Sequence, residues 1–205
     1  LKVCVYAICK NESQFVDRFM DSMSEADYVC VLDTGSTDDT VERLRSRGAI
    51  VGETVIAPWR FDTARNESLR LIPADADICC AIDLDEQFRP GWRAALERAW
   101  QQDSTRARYR YTWSFRPDGS EGMVFWADKI HKNGCYCWKS PVHETLFYTG
   151  AGAEHFVEAV GVQLDHHPDE AKSRGQYLPL LELAVREDPQ DDRSCHYLGR
   201  EYMYR

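Results

Sequence analysis

The apolar run Ile78-Cys79-Cys80-Ala81-Ile82 stops abruptly at Asp83-Leu84-Asp85-Glu86. A buried strand that ends in acid limits the possible folds more than any other feature of this chain. In extended backbone, residues two apart point the same way, so Asp83 and Asp85 can share one face while Leu84 packs into the core. Neighbouring carboxylates repel unless a cation neutralises them, and all-oxygen ligation favours hard ions such as Mg2+ or Mn2+. The competing reading is a solvated acidic turn before the helix expected at Gly91-Trp92-Arg93-Ala94-Ala95-Leu96. An isolated D-x-D cannot decide between them, because so short a motif recurs by chance.

Context decides, because the same pattern occurs twice more upstream. Val3-Cys4-Val5-Tyr6-Ala7-Ile8 reads as a buried strand that runs into the polar loop Cys9-Lys10-Asn11-Glu12, and Tyr28-Val29-Cys30-Val31-Leu32 reads as a strand ending in Asp33. Phe15, Phe19, Met20 and Met23 fall at helical spacing between them. After Asp33 the turn Gly35-Ser36-Thr37 enters a helix carrying Val41 and Leu44, then a strand is expected over 49–51 and a short helix over 65–71. Such alternation predicts an α/β fold with a mostly parallel, doubly wound sheet, and ligands of these sheets gather at the carboxyl ends of the strands. The two polar loops and the acidic tetrad therefore belong to one cleft.

The second half changes character. Tyr109, Tyr111, Trp113 and Phe115 alternate with Arg108, Arg110, Thr112 and Ser114, and Pro117-Asp118-Gly119 supplies a turn, so a hairpin returning through Met123-Val124-Phe125-Trp126 is expected. Its aromatics fit core packing better than a glycan or peptide platform. A further extended segment runs near 156–164, and amphipathic helices are expected from Glu170 and over 192–204. The helical pair resembles the opening of a tetratricopeptide repeat, but fewer than two units cannot stack into a solenoid. The expected division is a domain over 1–168 and a helical extension over 169–205, with protein contacts through the extension.

Composition narrows the partners. With 205 residues and 43% hydrophobic content the chain can bury one sizeable core. A formal charge of -9 and a pI near 5.2 oppose nucleic acid and anionic membranes as partners. Cys4, Cys9, Cys30, Cys79 and Cys80 sit in or beside strand-like apolar runs and read as small buried hydrophobes, while Cys135-x-Cys137 is too tightly spaced for a zinc knuckle. No apolar stretch has membrane-spanning length, so a reducing cytoplasmic setting is expected. The missing initiator Met and the end at Arg205 lead to the expectation of a trimmed or partial chain.

Cys9-Lys10-Asn11-Glu12, Leu32-Asp33-Thr34-Gly35-Ser36-Thr37-Asp38-Asp39-Thr40, Ala64-Arg65-Asn66-Glu67 and Asp83-Leu84-Asp85-Glu86 follow one another over roughly the first 90 residues. In order and spacing they resemble the motifs of glycosyltransferase family 2, which has the GT-A fold. The resemblance implies that Asp33 binds the base of a nucleotide sugar, usually uracil, and that Asp85 holds a Mn2+ or Mg2+ ion on the diphosphate. Asp83 would lie near the ribose or support the metal, and Arg65 would face nucleotide or phosphate. Ile8, Lys10, Asn11, Glu12, Gly35, Ser36 and Leu84 complete the implied nucleotide site.

Trp138-Lys139-Ser140-Pro141-Val142-His143-Glu144 resembles the Val-His-Glu segment of a subset of that family that includes lipopolysaccharide-core and repeat-containing peptide glycosyltransferases. It stands where the family's usual Glu-Asp pair is absent. Inverting sugar transfer needs a base for the acceptor proton while the diphosphate leaves, and Glu144 is the first choice, with His143 second or positioning. The alternative is a structural ion pair of Glu144 with Lys139 or Arg110. At His166-His167 one imidazole could complete the metal site, with His167 taken ahead of His166, while Lys172 and Arg174 neutralise the leaving group. The resulting expectation is an inverting, metal-dependent transferase using a UDP-sugar, with a glycan, lipid-linked saccharide or peptide as acceptor. A nucleotidyltransferase, and a non-catalytic nucleotide- or glycan-binding accessory domain docking through its helices, are the alternatives.

Overall fold

The computed structural model describes residues 1–169 and 175–204. The chain opens with β1 (Val3–Cys9), a 3-10 turn at Ser13–Phe15, α1 (Val16–Ser22), β2 (Tyr28–Asp33), α2 (Thr40–Ser46), β3 (Ile50–Glu53), α3 (Phe61–Leu69) and β4 (Ile78–Ala81). It continues through β5 (Glu86–Phe88), α4 (Trp92–Ala99), β6 (Arg106–Thr112), β7 (Val124–Lys132), β8 (Tyr136–Lys139), β9 (Thr145–Tyr148) and β10 (Phe156–His166), then α5 (Tyr177–Glu187) and α6 (Asp192–Met203).

Eight strands form one sheet in the order β3-β2-β1-β4-β7-β6-β10-β5. The pairings β3–β2, β2–β1, β1–β4 and β6–β10 are parallel, while β7 lies antiparallel between β4 and β6 and β5 lies antiparallel on β10. This is the expected α/β architecture, a doubly wound, mostly parallel sheet with a C-terminal helical extension. Every residue of β1 and β4 is buried, as expected for strands covered on both faces. Alternation sends Val3, Val5 and Ala7 into a core with Phe19, Met23, Leu44, Trp92 and Leu96. It sends Cys4 and Tyr6 to the other face, against Cys30, Cys79, Tyr136 and Trp138. Each large side chain buried this way stabilises the fold by about 1.5–3 kcal/mol.

The return strand of the predicted hairpin is longer than expected, because β7 continues to Lys132 to pair with β4 as well as β6. The β8–β9 ribbon was not legible as a hairpin; it pairs Lys139 with Thr145 and projects the intervening loop, which contains Val142, His143 and Glu144. The C-terminal helices pack on that loop. Leu180 and Leu181 of α5 bury Val142 together with Trp59, Phe61, Tyr177, Tyr197 and Leu198, and Arg60 pairs with Glu187 at 2.5 Å. Asp191 caps α6 by accepting from the Ser194 amide at 3.2 Å. The helical pair thus forms a wall of the cleft.

Candidate active site

The carboxyl ends of β1 and β2 are in register at Cys9 and Asp33, and the loops that follow them are bonded together. The Asn11 amide donates to Ser36 Oγ at 2.8 Å, the Thr37 amide donates to Asn11 Oδ1 at 2.7 Å, and the Glu12 amide donates to Thr40 Oγ1 at 2.9 Å. Asn11 takes a left-handed φ of 54° to make this junction. Asp33 is 2% exposed, and its Oδ1 accepts from the Gly35 and Ser36 amides at 2.9 Å each. Its other oxygen accepts from the Ser36 hydroxyl. Asp33 therefore closes its own turn, with Gly35 at φ 106°. Of this loop, Thr34 is on the cleft lining, while Asp33, Gly35 and Ser36 are not among the lining residues.

That lining encloses about 1070 Å³ and brings together Ile8, Lys10, Asn11, Glu12, Arg65, Asp83, Asp85, His143, Glu144 and His166. Leu84 is fully buried in the main core, so its side chain contacts no ligand. The alternation that separates it from Asp83 and Asp85 was legible in the sequence. Lys172 and Arg174 lie outside the described residues.

Arg65, from α3, is 3% exposed and organises the acids. Its Nη2 donates to Asp83 Oδ1 at 2.5 Å and its Nε donates to Glu144 Oε1 at 3.0 Å. Burial works against its charge, but the two carboxylates outweigh that and raise its pKa. The Nη1 group of Arg65 is buried with no hydrogen-bond partner among the described residues. A buried donor left unmade costs about 1–3 kcal/mol. Glu144 thus has an ion-pair partner, though neither Lys139 nor Arg110, the partners weighed from sequence. Arg110 instead pairs with Glu121 at 2.5 Å.

Sequence reasoning missed Lys129. Its Nζ lies 3.7 Å from Asp83 Oδ2 and 3.9 Å from Glu86 Oε1. Burial disfavours its charge, yet Glu86 and Asp83 hold its pKa above the ordinary value. Glu86 accepts from the Tyr111 hydroxyl at 2.6 Å and the Asp83 amide at 2.9 Å. Its carboxyl pKa is pushed up, first by burial and then by Asp83, against the pull of Lys129. The available signal was parity with His131, two residues on and buried; a bulge in β7 puts Ala127 instead on the face of Ile130.

At the other end of the tetrad, His166 Nε2 lies 3.4 Å from Asp85 Oδ2. His166 Nδ1 lies 3.0 Å from the Trp113 carbonyl oxygen, which assigns the proton to Nδ1. In the neutral ring Nε2 then presents a lone pair to a carboxylate, an arrangement that calls for a proton or a metal ion between them. Burial disfavours the imidazolium, but Asp85 and the Trp113 carbonyl outweigh it and raise the His166 pKa. The order taken from sequence is reversed here: His166 faces Asp85, while the His167 ring stacks on Phe115 with centroids 5.1 Å apart. Register explains it, because His166 is the last residue of β10 and pairs with Glu86, and only one of two adjacent residues can face the cleft. No group of three or more His, Cys, Asp and Glu residues is arranged to hold a metal among the described residues. Asp85 and His166 are a pair of donors, one oxygen and one nitrogen, 3.4 Å apart at the cleft.

His143 adopts φ 52° and stacks on Tyr197 of α6, with ring centroids 4.0 Å apart. Burial, aided by Arg193, lowers its pKa and favours the neutral ring.

No family model matches the chain. Among solved structures, a mycobacterial protein is 16% identical over 87% of this chain and 70% of its own, with a TM-score of 0.56, a likeness of fold. Glucosyl-3-phosphoglycerate synthase from Mycobacterium tuberculosis, in complex with Mn2+, UDP and glucosyl-3-phosphoglycerate, is 26% identical over 54% of this chain with a TM-score of 0.45. The same synthase with Mn2+ and UDP-glucose gives the same identity and TM-score. The chain spans 44% of the length of the first of these synthase structures. No helix among the described residues is long and apolar enough to cross a membrane.

Proposed function

We propose that this cleft binds a nucleoside diphosphate sugar, a UDP-sugar by the motif resemblance, and transfers a hexose-type sugar with inversion to an acceptor hydroxyl. The observation that carries the reading is the convergence, in one cleft, of the Asp85–His166 pair with an Arg65-held Glu144. Asp85 and His166 would hold Mn2+ or Mg2+, which when bound neutralises charge on the diphosphate. Arg65 brings its positive charge to the lining of the donor cleft, and Lys129 holds Asp83 and Glu86 in place with a retained positive charge. Glu144 removes the acceptor proton. The acceptor oxygen forms its bond to the anomeric carbon as that carbon's bond to the diphosphate breaks, and the nucleoside diphosphate leaves with the bonding pair. Arg65 fixes the Glu144 carboxylate, and the neutral His143 ring, clamped by Tyr197, fixes the loop that carries it.

The test is release of UDP from UDP-hexoses with Mn2+, followed with and without Glu144→Gln. Loss of a general base lowers kcat by roughly 100-fold or more, with the donor KM within about threefold because Glu144 does not bind the donor. Turnover that ignores both Glu144→Gln and EDTA contradicts the assignment.

A further inference from the structure

The wall of the cleft contributed by α6 carries chemistry that the donor site does not use. Arg193, Tyr197 and Arg200 follow one another at i, i+4 and i+7, so they form one stripe on the helix face, about 10 Å long at 1.5 Å per residue. All three line the cleft. The guanidinium carbon of Arg193 lies 5.4 Å from the Tyr197 ring centroid, and that of Arg200 lies 5.6 Å from it. Neither guanidinium has a carboxylate oxygen within 4.0 Å among the described residues. Several other arginines of this acidic chain are paired, among them Arg43 with Asp17, Arg47 with Asp21, Arg89 with Asp165 and Arg110 with Glu121. Nearby Asp191 is committed to the Ser194 amide and hydroxyl as the cap of α6.

Position gives the stripe its meaning. Tyr197 stacks on His143, the residue before Glu144 in the chain, so the stripe meets the loop that carries Glu144, and all of these residues line one cleft. The donor groups Lys10, Asn11 and Asp85 come from the sheet edge, whereas α6 is a separate wall of the same cleft. A guanidinium resting against an aromatic ring keeps its in-plane N–H donors available, and that planar fork matches the oxygens of phosphate and carboxylate. From these contacts we infer that Arg193 and Arg200 form an anion subsite for the acceptor, which is a hydroxyl compound bearing a phosphate or carboxylate group. The inference rests on the transferase reading of the cleft and adds to it the chemical class of the acceptor.

The experiment titrates the full chain, pre-saturated with UDP and Mn2+ so that the diphosphate site is filled, with glycerol 3-phosphate, glycerate and glycerol in separate calorimetric runs. Saturable binding of the phosphate or the carboxylate probe, with none for glycerol, is expected, and the stronger of the two identifies the anion. Arg193→Gln combined with Arg200→Gln, which keeps good helix formers on α6, weakens that binding at least tenfold. UDP affinity stays within threefold and far-ultraviolet circular dichroism is unchanged. If UDP binds but neither anionic probe does, or if the double variant binds the probe as well as the parent, the acceptor inference falls while the donor reading stands. Failure of UDP itself to bind removes both.

Discussion

Replacing Arg65 with Met tests the centre of the electrostatic architecture. The guanidinium side chain is 4% exposed, Glu144 is 12% exposed and Asp83 is 33% exposed. Removing one partner of a buried pair costs about 3–5 kcal/mol, because the remaining charge is left uncompensated. Three structural details set where in that range the variant should fall. The Asp83 arm is a third open to solvent and counts for less. The guanidinium also lies 5.5 Å from the Trp138 ring, a contact worth about 0.5–2 kcal/mol. Against these, deleting the unpartnered Nη1 returns about 1–3 kcal/mol. The net expectation is a destabilisation of roughly 3 kcal/mol, which for a chain of this size lowers Tm by about 6–12 °C. Because the folded-state pKa of Arg65 is raised, its contribution is complete at every pH below the ordinary arginine value and does not fade between pH 5 and 9. Urea unfolding at neutral pH of the parent, Arg65→Met, Glu144→Gln and the double variant gives the coupling directly, expected at about 1 kcal/mol or more. A single-variant loss below about 1 kcal/mol, or additivity within about 0.3 kcal/mol, refutes the network.

Two further outcomes follow from buried groups away from the cleft. His131 is 1% exposed, contacts the Tyr6 hydroxyl at 2.8 Å, and has its pKa lowered by burial to about 4. The unfolded chain therefore binds the proton first, so the stability contributed by the neutral ring is complete above about pH 6.5 and declines as pH falls toward 4. The decline amounts to about 3 kcal/mol, and His131→Gln should flatten that part of a stability-against-pH curve; an unchanged curve contradicts the burial argument. Of the free cysteines, Cys4, Cys9, Cys30, Cys79 and Cys80 are buried, whereas Cys135 and Cys137 are partly exposed and Cys195 is exposed. Thiol labelling of the native chain should modify the last three quickly and the others only on unfolding, and rapid labelling of Cys79 or Cys80 would count against the doubly covered sheet.

The strands β1, β2 and β4 were legible because each is a contiguous apolar run stopped by polar residues, a signal contained in a few neighbouring positions. The place of β7 was not, since antiparallel insertion between β4 and β6 depends on pairings such as Cys79 with His131, far apart in the chain. The same distance hid the partners of Arg65, which reaches Glu144 across 79 residues and Asp83 across 18. Motif order picked out Arg65 and Glu144 separately; only the fold joins them. The α6 helix was expected from its periodicity, but its contact with His143 depends on how the β8–β9 loop meets the C-terminal helices. Asp33 shows the opposite limit: the motif marks the residue, while the local turn decides that its carboxylate closes the loop.

The central claim is a donor site in which Asp85 and His166 share a divalent ion with a nucleoside diphosphate. Calorimetric titration of UDP into the parent chain and into Asp85→Asn, each with Mn2+ and then with EDTA, tests it most directly. The account predicts Mn2+-dependent binding by the parent, weakened at least tenfold in Asp85→Asn and to the same extent by EDTA, with folding unchanged. UDP binding of equal strength in all four conditions, or none in the parent with Mn2+, contradicts it.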